Sequence, residues 1–141
     1  MNFELNSEEL AVIESAEQVA REVIQPLAQH YDETETFCAD SLKALGDLGC
    51  MGINLPEAYG GLGIGSLAMS RVVEAVAGAC ASTASAMTAH FLATDSILLG
   101  ANEAQKQEWL PRAASGEWLG AFALTEPAAG SNPADMRSRA V

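Results

Sequence analysis

The sequence predicts a mainly α fold, a helical bundle that runs into one short strand at its C-terminal side. Apolar residues recur at i, i+3 and i+4 over five segments between 7 and 115, the spacing of one face of a helix. Capping residues, Gly and Pro punctuate those segments where helices start and stop. Only "WLGAFALTE" departs from this, as a short apolar run bounded by turn residues, which reads as a strand over 119–125. The chain has 141 residues, 49% of them hydrophobic and 18% charged, the balance of one globular domain with a single core.

The first helix begins at Ser7, with Ser7 as N-cap and Glu8 and Glu9 at the positive end of its dipole. Leu10, Ile13, Ala20, Val23, Ile24 and Leu27 form its apolar face, and Pro26 implies a kink about one turn before its end. A second helix spans 39–48, with Leu42, Leu45 and Leu48 on one side and Gly49 as C-cap. "CMGINLPEAYGGLGIGS" is too rich in Gly and Pro for regular structure. Ser66 caps a third helix reaching Ala79, Thr83 or Ser85 a fourth reaching Leu99, and Asn102 a fifth that Pro111 kinks or ends. The strand that follows has no partner strand in the sequence, and a lone open edge implies a continuation.

Seven Lys and Arg face 19 Asp and Glu, a formal charge of −12 that repels phosphate backbones and anionic membrane surfaces. Nucleic acid is therefore not the expected partner. No run of about 18 uncharged apolar residues is present, so membrane insertion is not expected. The acidic start "MNFELNSEEL" is unlike a signal peptide, which makes the cytoplasm the expected location. Cys38, Cys50 and Cys80 have no C-x-x-C spacing and no His at zinc-ligand distance in sequence, and read as reduced structural thiols with no metal site.

The glycine cluster "YGGLGIGS" completes neither G-x-G-x-x-G nor a P-loop, whose Lys is replaced by Ser66, and reads as a structural loop. His30, at a helix end, reads as a surface histidine. His90 lies among small residues that either allow tight helix packing or line a ligand cavity. "ALTEPAAGSN" ends the strand in a turn with exposed N–H groups and the hydroxyls of Thr125 and Ser131, suited to a planar heterocycle or a phosphate as well as to an ordinary turn. Glu126 has no visible partner that would make it a general base.

"FALTEPAAGSNPADM" resembles the first signature of the acyl-CoA dehydrogenase family, aromatic-x-[LV]-[ST]-E-P-x-x-G-S-D. "LPEAYGGLGIG" is similar to the family's "LPEEYGGLG", and "LGANEAQKQEWLPRAASGEW" follows its "G-T-E-E-Q-K-x-x-x-L-P-x-x-A-S-G-E" in order and spacing. The resemblance implies an N-terminal helical-bundle domain over 1–118 and the opening strand and flavin-contacting turn of a middle β domain over 119–141, the rest of that domain and a C-terminal helical domain lying outside.

It also implies an FAD-dependent oxidoreductase that introduces an α,β double bond into an acyl-CoA thioester, in fatty acid or amino acid catabolism. Phe122, Leu124, Thr125, Gly130 and Ser131 then contact the flavin, Ser131 and Phe91 the substrate, and Met87 and Thr88 share the helix lining the acyl pocket. The catalytic base is expected C-terminal to this chain, so no catalytic residue is assigned within it. A homotetramer or homodimer and an electron-transferring flavoprotein as acceptor follow from the same resemblance. The family's Asp is Asn132 here, which keeps an acceptor for capping and loses the charge. The alternative is a truncated, non-catalytic helical module acting through packing or association.

Overall fold

A computed structural model describes residues 3–139. Among them are α1 (Ser7–Val19), α2 (Gln25–Thr34), α3 (Ala39–Asp47), α4 (Ser66–Ala79), α5 (Ala81–Gly100) and α6 (Glu103–Ala114). α1 packs on α4, α4 on α5 and α5 on α6, a bundle with α5 at its centre. The core is built from Ile24, Leu45, Met51, Ile53, Val72, Val76 and Met87, and a smaller cluster joins Leu55, Leu110 and Ala114.

The expected kink at Pro26 takes a specific form. Proline has no N–H for the carbonyl four residues back, and its ring crowds that carbonyl. The chain responds just upstream with a π-helical turn, Ala20–Ile24, in which the Gln25 N–H reaches the Ala20 carbonyl. α1 and α2 are thereby one helix with a widened turn, and Ala20 and Ile24 still face the core.

Three helix starts differ from expectation. Asn6, not Ser7, caps α1: its Oδ1 accepts the Glu9 N–H at 2.9 Å while the Glu9 carboxylate accepts the Asn6 N–H at 3.0 Å, a reciprocal box that Ser7 could not close. α4 starts behind Gly65, whose N–H donates to Glu9 at 3.3 Å across the bundle, so Ser66 is its first residue and not its cap. α5 begins at Ala81, which leaves Thr83 and Ser85 inside the helix and Thr83 buried. Asn102 caps α6 as expected, paired with Gln105, and Pro111 is carried within that helix to Ala114.

The strand expected over 119–125 does not form. The segment is extended, but a strand is defined by its ladder, and among the described residues only an isolated bridge between Glu126 and Ala129 is present.

The glycine loop closes on itself. The Gly61, Leu62 and Gly63 amides donate to the carbonyls of Pro56 (3.2 Å), Gly52 (3.2 Å) and Leu55 (3.0 Å), so the donors a phosphate would need are already engaged. A Cβ on Gly61 would lie 2.0 Å from the Leu55 carbonyl oxygen. Gly61→Ala is therefore expected to destabilise the fold by about 3 kcal/mol, the upper range for forced overpacking. On α4, Gly78 faces open space, and Gly78→Ala should stabilise by about 0.5–1 kcal/mol through helix propensity. Urea unfolding of the two variants tests both signs.

Candidate functional site

The residues of interest gather around α5 and the chain that leaves α6. His90 lies on the inner side of α5 and is fully buried. Its Nδ1 accepts the Gly120 N–H at 2.8 Å, and its Nε2 sits 3.1 Å from the Met51 carbonyl oxygen. A backbone N–H can only donate and a carbonyl can only accept, so the ring is neutral with its proton on Nε2. One imidazole thus ties α5, the 3₁₀ turn Cys50–Gly52 and the exit segment together. Gly120 permits it: a Cβ there would come within 2.8 Å of the Ala93 Cβ. Of the two readings left open for His90, the structure supports packing, since neither nitrogen is free for a ligand. Gly120 had no signal in the sequence beyond being a glycine in an apolar run.

Beyond Gly120 the chain runs along the surface. Among the described residues, 121–125 makes no hydrogen bond, so its N–H and C=O groups form an open edge. Phe122 and Leu124 are exposed, as are Thr125 and Ser131. The turn after them is closed by reciprocal bonds between Glu126 and Ala129, 2.8 and 3.1 Å. The Glu126 carboxylate accepts the N–H groups of Arg137 (2.8 Å) and Ser138 (3.0 Å). The Ser138 side chain, then these amides, hold its carboxyl below the usual range. That makes Glu126 a staple for the turn and a poor base. Asn132 is extended and caps the 3₁₀ turn Pro133–Asp135, with Oδ1 accepting the Ala134 N–H at 3.4 Å and Nδ2 donating to Asp135 at 2.9 Å.

A groove of about 390 Å³ runs between α4 and α5, walled by Met69, Val73, Phe91 and Leu92 with Thr88 and Asp95 on the α5 side. It brings together Phe91 and Thr88, while Met87 turns into the core. Asn54, from the loop before the glycine cluster, sits behind α5, and its Nδ2 donates to Asp95 Oδ1 at 2.7 Å and Thr94 Oγ1 at 3.0 Å. Neither Asn54 nor Asp95 stood out in the sequence, because 41 residues separate them. Cys38, Cys50 and Cys80 are free and buried, and burial pushes the Cys50 thiol up to about 11, away from nucleophilic chemistry. No helix among the described residues is long and apolar enough to cross a membrane.

Residues 6–117 match the family model for the acyl-CoA dehydrogenase N-terminal domain, and the chain belongs to that family. It is 41% identical, over its whole length and 37% of the relative's, to "Probable acyl-CoA dehydrogenase YngJ" of Bacillus subtilis. Its fold superposes with a TM-score of 0.87 and 29% identity on a chain from the structure of the electron transferring flavoprotein of Acidaminococcus fermentans, covering 95% of this chain and 36% of that one. A glutaryl-CoA dehydrogenase from Mycobacterium smegmatis in complex with FADH2 is similar at a TM-score of 0.85 and 31% identity, covering 94% of this chain and 34% of that one. The chain spans about a third of the length of the curated relatives it matches.

The His90 clamp has a pH signature. Burial lowers the His90 pKa below its ordinary 6.5, against the smaller opposing effect of the Met51 carbonyl. The unfolded chain then takes up a proton more readily than the folded one, so stability is complete above pH 6.5 and falls as the pH drops from there toward the lowered folded value. The melting temperature should decline between pH 7.5 and 5.5, and His90→Leu should remove that His90-dependent part of the decline. The variant should also cost about 1–3 kcal/mol for each buried backbone partner left unpaired. Equal pH dependence in both proteins would contradict the assignment.

Proposed function

We propose that this chain is the N-terminal part of an FAD-dependent acyl-CoA dehydrogenase that introduces an α,β double bond into an acyl-CoA thioester. The helical domain spans 1–118 in this reading, with 119–141 opening the middle β domain; the family match ends at residue 117. The observation that carries it is the extended segment 121–125, which follows the Gly120 held by His90 and whose backbone groups have no partner among the described residues. Such an edge offers alternating donors and acceptors to a planar ring, and Thr125 adds a hydroxyl with no partner among the described residues.

The residues fit a flavin on a further count. A Cβ at Gly130 would meet no atom of the described residues within 4 Å apart from its own chain neighbours, which leaves room for a ligand to approach that backbone closely. Phe122, Leu124, Thr125, Gly130 and Ser131 would hold the flavin edge, with Ser131 also reaching the CoA moiety. FAD, when bound, supplies the acceptor for the hydride lost from the β-carbon.

The acyl chain would lie in the α4–α5 groove on Phe91, and Leu92, Phe122 and Leu124, all exposed, would be covered by the remaining domains. His90 and Glu126 have their polar atoms engaged, and the family resemblance implies a base for the α-proton C-terminal to this chain. An electron-transferring flavoprotein as acceptor is supported by the Acidaminococcus likeness. A homotetramer or homodimer in the cytoplasm completes the proposal.

Three variants of the flavoprotein carrying this chain test it. Thr125→Val should weaken flavin retention by about 0.5–1.5 kcal/mol, one hydrogen bond to a neutral partner, with melting of the helical domain unchanged. Ser131→Ala should raise the Kd for an acyl-CoA. Asn132→Asp should loosen the turn, because it replaces the amide that donates to Asp135 with a second carboxylate. Flavin content and acyl-CoA Kd untouched in the first two variants would leave the turn as plain scaffold and favour the non-catalytic module.

A further inference from the structure

The α4–α5 groove is apolar along Met69, Val73, Phe91 and Leu92, yet a carboxylate, that of Asp95, stands on its wall. Among the described residues Asp95 forms no ion pair; its one bond in hydrogen-bonding range is to the neutral amide of Asn54, at 2.7 Å. That bond fixes its position. Asn54 Nδ2 is already directed at Thr94 Oγ1, and Thr94 is itself anchored by donating to the Phe91 carbonyl at 3.1 Å, so the amide end facing Asp95 is the donor. Asp95 Oδ1 is thereby engaged by Asn54, while Oδ2 has no hydrogen-bond partner among the described residues and Asp95 lines the groove.

We propose that Asp95 determines which acyl chains the groove accepts: those whose far end carries a hydrogen-bond donor are favoured, and those ending in a carboxylate are turned away. The inference rests on the reading that the groove receives the acyl chain. An occupant displaces the water that solvates Asp95. A terminal hydroxyl replaces that water with a charge-assisted hydrogen bond. A terminal methyl leaves a desolvated, partly unpaired anion. A terminal carboxylate adds repulsion between like charges, with no cation in the groove to offset it. The expected order of affinity is hydroxyl, then methyl, then carboxylate. This separates the chain from the glutaryl-CoA dehydrogenase with which it shares its fold, whose name specifies a dicarboxylic thioester.

The test uses the intact flavoprotein carrying this chain and three five-carbon thioesters: pentanoyl-CoA, 5-hydroxypentanoyl-CoA and glutaryl-CoA. Each is measured by its Kd and by anaerobic bleaching of the flavin band. In the unaltered protein glutaryl-CoA should bind at least about tenfold more weakly than pentanoyl-CoA, and 5-hydroxypentanoyl-CoA more tightly. Asp95→Asn should shrink the glutaryl discrimination by a similar factor and tighten pentanoyl-CoA, whose methyl end no longer desolvates an anion. Asp95→Ser, which removes the charge without a new amide against Asn54, should do the same if the first variant folds poorly. Glutaryl-CoA binding as tightly as pentanoyl-CoA, or discrimination unchanged in both variants, overturns the proposal. If pentanoyl-CoA itself neither binds nor bleaches the flavin, the acyl-CoA reading fails and this inference with it; if it does both and Asp95 is indifferent, only the inference fails.

Discussion

The two hydrogen bonds of one buried imidazole hold together three parts of this domain: the central helix, the turn at Met51 and the segment that leaves α6. His90 joins the central helix to a loop 39 residues earlier and to a segment 30 residues later, at 3.1 and 2.8 Å. Either partner alone could be met by several side chains. Meeting a donor and an acceptor on opposite sides of one ring, in a dry site, calls for neutral histidine with its proton on Nε2. The ring therefore fixes the direction in which the chain leaves the bundle, and the exposed backbone edge of 121–125 inherits that direction.

α5 can serve as the hub because small residues let neighbours come close to it. Ala93 admits the backbone at Gly120, and the loop carrying Asn54 reaches the same helix one turn further along. That loop is itself held by Gly61 lying against Leu55, so the glycine cluster shapes the wall behind Asp95, with the Gly61, Leu62 and Gly63 amides engaged within the loop. Polar groups at the centre of the bundle thus fall into two layers. His90 is inward and saturated; Asp95 is outward on the groove wall, with one oxygen held by Asn54.

The family relationship and the free edge of 121–125 point the same way. A backbone with unpaired donors and acceptors is stable at a surface only while water, protein or ligand meets them. Exposed Phe122 and Leu124 on that segment add apolar area that a covering domain and a cofactor would bury. The turn from Glu126 to Asp135 is nonetheless well determined locally, by the Glu126 carboxylate and the Asn132 amide.

The sequence by itself determined the helices, because periodicity, caps and breakers are local: the Asn102 start of α6, the Gly49 stop after α3 and the disturbance at Pro26 are all legible within a few residues. Its three motifs were enough to place the chain in its family. Local signals misplaced the starts of α1, where a better cap lay one residue earlier, of α4, where a cross-bundle carboxylate took over, and of α5, which begins behind Cys80 with no side-chain cap. They also proposed a strand at 119–125, since an apolar run carries no information on whether a neighbour supplies a ladder. Tertiary structure alone decided that Met51 and Gly120 flank His90 and that Asn54 stands behind Asp95. A hydrogen bond needs its partners about 3 Å apart in space, and nothing in sequence spacing encodes which distant residues the fold will bring to that distance.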